Sequence, residues 1–195
     1  GAGKTFLMAS FIYIDLYLAM QEPDNKAFAH NFMIFAPSGL KNSIVPSLKH
    51  IQDFDPTWIL PDPTASQIRK IISFEVLDEQ KTAKNSNLVK NPNAQKINNH
   101  QPLSDLFGLV AVTNAEKVVL DKIDKDRGLE RNLYTEKEWD AMKTSNELRA
   151  IIRQIPHIAI FIDEVHHASD GEIKLRKGVS DWMKNPSFNS VYGFS

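Results

Sequence analysis

Ile158-Ala159-Ile160-Phe161-Ile162-Asp163-Glu164 decides how this chain folds. Five consecutive apolar residues without alternation do not fit a strand with one wet face. They fit a strand covered on both sides, as in a parallel sheet between helices. The two carboxylates that end the run then fall at the strand's carboxyl end, where open α/β sheets place their ligands.

Two further runs of the same kind lie elsewhere. Asn31-Phe-Met-Ile-Phe-Ala36 stops at Pro37, and Leu109-Val-Ala-Val112 leads into Thr113-Asn114. Between and around them the pattern is helical: Lys4 to about Gln21, ended by Glu22-Pro23-Asp24-Asn25; a segment capped by Ser38 or Asn42 and running to about Phe54; a helix from about Ala115; Trp139 to Gln154, with Leu148, Ile151 and Ile152 on one side; and Val179 to Met183. Thr57 to Leu60 and Lys70 to Leu77 read as two more short strands, and Ser190 to Ser195 begins a last one. Strands alternating with helices predict an α/β domain of three layers with a mostly parallel sheet. The stretch 78–104 is rich in Asn, Lys, Gln and Pro and reads as a polar surface insertion. Residues 121–131 are charged and read as solvated.

With 195 residues, 42% of them hydrophobic, the chain can bury a core of its own. A net charge of −1 excludes a polycation, so any nucleic-acid contact has to be local. No cysteine is present, which excludes disulfides and thiolate metal sites and fits a reducing cytoplasm. The apolar run Phe6 to Met20 is too short for a membrane span and carries Asp15, so a helix buried on most sides is expected. The chain opens inside a motif and closes on Val191-Tyr192-Gly193-Phe194-Ser195 with no polar tail, the expectation for a segment of a longer protein.

The opening motif is Gly1-Ala2-Gly3-Lys4-Thr5 ahead of a long helix, the end of a G-x-x-x-x-G-K-[ST] loop. Glycine lets backbone N–H groups approach phosphate oxygens, and the helix N-terminus adds partial positive charge. In this reading Gly1, Ala2, Gly3, Lys4 and Thr5 cradle a nucleoside triphosphate. Lys4 reaches the β- and γ-phosphates and the Thr5 hydroxyl ligates Mg²⁺. Asp163 holds the same ion, and Glu164 orients and activates the attacking water. The adjacent His166 and His167 lack a third ligand, so a metal pair is not expected there. Trp139 and Trp182 sit in helical stretches and are expected in the core rather than stacked on bases.

Asp163-Glu164-Val165-His166 resembles motif II of the superfamily 2 helicases. Phe35-Ala-Pro-Ser-Gly-Leu-Lys41 resembles motif Ia, Val112-Thr113-Asn114 a later backbone-contacting motif, and Gly193-Phe194-Ser195 the opening of motif III without its threonine. Ala36 to Ile44, Thr113-Asn114, Ser145 to Arg149 and Phe161 to Ala168 are similar to the restriction subunits of type III restriction-modification enzymes. The resemblance implies a RecA-like P-loop NTPase fold. Residues 1–195 would be the first motor domain, truncated at both ends, of an ATP- and Mg²⁺-dependent DNA translocase. In the full-length protein it implies site-specific endodeoxyribonuclease activity as well, a second RecA-like domain and a modification methyltransferase subunit as partners, DNA as the track, and no membrane. It gives Lys4, Glu164 and His166 catalytic roles, with His166 linked to motif III through Ser195. It places Pro37, Ser38, Lys41, Thr113 and Asn114 along the nucleic acid. Another superfamily 2 helicase acting on DNA or RNA, and a nucleotide-binding switch that does not translocate, are the alternatives.

Overall fold

In a computed structural model the described residues are 2–36, 44–79, 91–114, 117–118, 147–163 and 170–195. The chain forms α1 (Ala2–Gln21), β1 (Asn31–Ala36), α2 (Ile44–Gln52), α3 (Thr64–Ile71), β2 (Ser73–Val76), α4 (Pro92–Asn98), β3 (Leu109–Asn114), helical residues 147–152 (α5), β4 (Ile158–Asp163), α6 (Asp170–Trp182) and β5 (Phe188–Phe194). The five strands form one sheet in the order β2-β3-β1-β4-β5, and every pairing is parallel.

Alternate residues of the central strands feed two separate cores, as the period of two in a strand requires. Phe32, Ile34, Val110, Val112, Ala159 and Phe161 pack against α1, α2 and α3. Met33, Phe35, Leu109, Ala111, Ile158 and Ile160 pack against α4, α5 and α6. This is the three-layer architecture expected from the continuous apolar runs. β1 is buried at all six positions because it has a strand on each edge and helices on each face.

At the amino end of the sheet one side chain ties three strands together. Asn31 is fully buried, donates through Nδ2 to the carbonyls of Leu106 and Pro156, and accepts from the Leu109 N–H. Those partners enter β3 and β4, so a single amide fixes where the three central strands start. Beside it His30 and His157 lie with ring centroids 4.2 Å apart, and His157 has a positive φ of 45°.

Several local expectations change. Thr57 to Leu60 is not a strand: Pro56–Trp58 is a 3-10 turn, capped by the Asp55 carboxylate on the Thr57 N–H. Lys70 to Leu77 divides, with α3 running through Ile71 and β2 starting at Ser73. Gly108, at φ +84°, brings the chain close to the Ile71 carbonyl at this point. The polar stretch 78–104 is not wholly a surface segment. Residues 91–104 fold onto the second core and bury Ala94, Ile97 and Leu103. The polar side chains that gave it a solvated look make internal bonds instead. Asn91 caps α4, and Asn93 exchanges two hydrogen bonds with the Glu79 backbone.

α1 is covered over most of its circumference, with Ser10 and Ala19 among its buried residues. Met8, Ala9, Ile12, Tyr13 and Leu16 face the sheet, while Phe6, Leu7, Ile14 and Met20 stay exposed. Among the described residues no helix is long and apolar enough to cross a membrane. Trp182 is a core residue as expected: its ring stacks on Phe35 at 5.9 Å and its Nε1–H donates to the Arg149 carbonyl. Trp139, His167, residues 80–90 and the charged stretch 121–131 lie outside the described residues.

Candidate functional site

The strand order creates a crevice at a predictable place. β1 is followed by α2 on one face of the sheet, and its neighbour β4 is followed by α6 on the other. The helices that follow these two adjacent strands therefore lie on opposite faces of the sheet. Such a switch point is where an open parallel sheet accommodates a ligand.

Asp163 is the last residue of β4 and stands at that crevice. α1 crosses the first face with its amino terminus at the same rim, and its first turn contains Gly3, Lys4 and Thr5. Lys4 Nζ lies 3.4 Å from Asp163 Oδ1, and the two side chains are 20% and 18% exposed. Asp163 Oδ1 is shielded from water and accepts no hydrogen bond from the described residues. It thus faces a cation without being saturated by donors. A carboxylate held in this way suits a small hard cation, which takes one or two protein carboxylates and fills its remaining positions with water and phosphate oxygens. A site built wholly of protein ligands is a different matter: among the described residues no group of three or more His or acidic side chains could hold a metal. Thr5 lies one residue beyond Lys4, partly buried, and brings a hydroxyl to the same turn.

An aromatic cluster sets the height of α1 over β4. Phe11 stacks on Tyr192 at 5.5 Å and lies 6.3 Å from Phe194, and both β5 rings meet Phe161. Phe194 is in register with Asp163. Ser195, next along, is exposed at the rim beside the carboxylate's own level. In the sequence Phe194 stands out only within the motif III resemblance, and nothing there marks Phe11 or Tyr192 as a support for α1.

Of the remaining candidates, Asn114 ends β3 directly across β1 from the site, paired with Ala36. Two strand spacings put it about 10 Å from the Asp163 backbone. Its Oδ1 is buried without a hydrogen-bond partner among the described residues. Thr113 is fully buried and its hydroxyl donates to the Leu77 carbonyl, so this side chain latches β3 to the end of β2 instead of facing solvent. Gly1, Pro37, Ser38, Lys41, Glu164 and His166 lie outside the described residues.

No family model matches the chain, and no curated protein or solved structure is found to be similar to it.

Proposed function

We propose that this chain is a RecA-like ATP-binding motor domain whose Lys4–Asp163 pair holds the phosphates and magnesium of a bound nucleotide. The observation that carries the reading is the meeting of Lys4 with Asp163 at the switch point of a parallel sheet. Lysine after glycine at a helix start and aspartate after an apolar strand have separate explanations when apart. Facing one another at a crevice, they form a cation–carboxylate couple that a metal–triphosphate can enter.

In this mechanism the ammonium of Lys4 neutralises the outer phosphates and the first-turn N–H groups of α1 bind their oxygens. Asp163 and the Thr5 hydroxyl would hold magnesium, which would supply positive charge against the phosphoryl oxygens. Glu164, the residue after Asp163, takes the proton of the attacking water. His166 and Ser195 would pass the state of the site to neighbouring elements. With Pro37, Ser38, Lys41 and Asn114 along a DNA track, hydrolysis would drive movement, and the motif resemblance points to the restriction subunit of a type III system. That role would join the chain to a second motor domain and a modification methyltransferase. A second reading, a nucleotide-binding switch without translocation, is favoured by one observation: the Thr113 hydroxyl is enclosed and is not displayed to a nucleic acid.

The deciding experiment measures ATP hydrolysis by the full-length protein with no nucleic acid, duplex DNA, single-stranded DNA or RNA. Stimulation by DNA, abolished in Lys4→Ala and Glu164→Gln, supports the translocase. Hydrolysis indifferent to every nucleic acid supports the switch. Unchanged turnover in both variants rules out the site.

A further inference from the structure

Trp58 is the most exposed of the large apolar side chains among the described residues, at 70%. It is not a loose side chain on a loose loop. It ends the 3-10 turn Pro56–Trp58, in which Pro56 is buried and its carbonyl accepts from the Ile59 and Leu60 N–H groups. Asp55 closes the other end by accepting from both the N–H and the hydroxyl of Thr57. The indole rests on Phe6, with ring centroids 5.7 Å apart and planes 36° from parallel, and on Phe54 at 6.2 Å. Phe54 is buried beneath the pair, whereas Phe6 is 42% exposed. The result is a two-ring ledge supported from below and open above.

The ledge is placed by α1. Phe6 is two residues after Lys4, about 200° further around the helix, so the two side chains leave opposite flanks of the first turn. Helical side chains lean toward the amino terminus, which carries the Phe6 ring toward the rim. Lys4 and Asp163, the proposed phosphate end, meet on the flank facing β4. A nucleoside attached to those phosphates and leaving away from Asp163 crosses the first turn toward Phe6 and Trp58. We infer that the Phe6–Trp58 ledge is the seat for the base of that nucleotide, which stacks on the free face of the indole. This rests on the phosphate site proposed above. Stacking uses the ring face that all bases share, and the exposed surface of the ledge is aromatic. The site therefore accepts a nucleotide without reading the hydrogen-bonding edge of its base.

The test is equilibrium binding to the full-length protein, with magnesium, of ATP, GTP and inorganic tripolyphosphate, followed by tryptophan fluorescence and by dialysis. ATP and GTP should both quench, and tripolyphosphate should bind without quenching. Trp58→Leu should remove the quench and weaken ATP and GTP about tenfold while leaving tripolyphosphate unchanged, the size expected for one stacked base. Trp58→Phe should restore most of the affinity. Lys4→Ala should weaken all three ligands. Equal ATP affinity in the parent and in Trp58→Leu overturns the ledge while the phosphate site stands. Failure of the parent to bind any of the three overturns both. A quench given only by a single-stranded oligonucleotide also overturns the assignment, because the indole would then belong to a nucleic-acid path.

Discussion

Lys4 Nζ and Asp163 Oδ1, from opposite ends of the chain, lie 3.4 Å apart at the mouth of one parallel sheet. The contact requires α1 to sit over β4 at the right height, and the Phe11, Tyr192, Phe194 and Phe161 rings supply that support.

Replacing Lys4 by Met should separate binding from stability. The pair is largely enclosed, so leaving Asp163 without its cation should cost more than the 0–1 kcal/mol of a surface pair, about 1–3 kcal/mol. The thermal midpoint should therefore fall by several degrees while the fold is kept. Affinity for magnesium–ATP should fall at least a hundredfold, since the phosphates lose their principal cation. Calorimetry on the variant measures both. A large loss of stability with nucleotide affinity retained would make the pair structural.

Asn31→Leu removes an amide that serves three backbone groups at the entrances of β3 and β4. Each buried group left without a partner costs about 1–3 kcal/mol, so the three together should cost at least about 3 kcal/mol. Urea denaturation should record it as a lower midpoint. A loss below about 1 kcal/mol would mean that water reaches these groups.

Tyr13 is fully buried against Phe54, and its hydroxyl has no hydrogen-bond partner among the described residues. Burial pushes its pKa up. Tyr13→Phe keeps the ring and removes the orphaned hydroxyl, and should stabilise the fold by about 1 kcal/mol. A destabilised variant would reveal a partner for the hydroxyl in solution.

Acid should expose an opposition between two groups. Burial, assisted by the neighbouring His157 ring, lowers the His30 pKa from 6.5 to about 4. Its contribution to stability is present above pH 6.5 and is lost as pH falls toward 4, where the unfolded chain takes up a proton more readily. Burial raises Asp15 from 3.8 to about 6, against a hydrogen bond from Ala29. Its contribution is full below pH 3.8 and is lost as pH rises through 6. Across pH 4–6 the two slopes have opposite sign. Asp15→Asn should therefore steepen the acid loss of stability over this window, and His30→Gln should flatten or reverse it. Denaturation midpoints measured at half-unit intervals give the comparison; parallel curves for the parent and Asp15→Asn would refute it.

Much of this arrangement was legible in the residues themselves. Continuous apolar runs marked β1, β3 and β4 as doubly covered strands, and Leu148, Ile151 and Ile152 marked the inward side of α5; all three are buried. The reading failed where partners are distant in sequence. Asn93 looks solvated until the Glu79 backbone is seen beside it, and Thr113 looks available until its hydroxyl meets the Leu77 carbonyl. The run Thr57 to Leu60 suits a strand by composition, but Asp55 and Pro56 fix it as a turn.

Sequence alone determined the alternation of helices and strands, because periodicity is a relation between residues two to four apart. It also determined the chemical candidates, since Lys4, Thr5 and Asp163 carry their reactivity wherever they lie. Tertiary structure decided the order β2-β3-β1-β4-β5, and with it which candidates meet. That order depends on how the helical faces bury against β1, β3 and β4, and those contacts join segments far apart along the chain. The approach of Lys4 to Asp163 and the stacking of Trp58 on Phe6 follow from that packing.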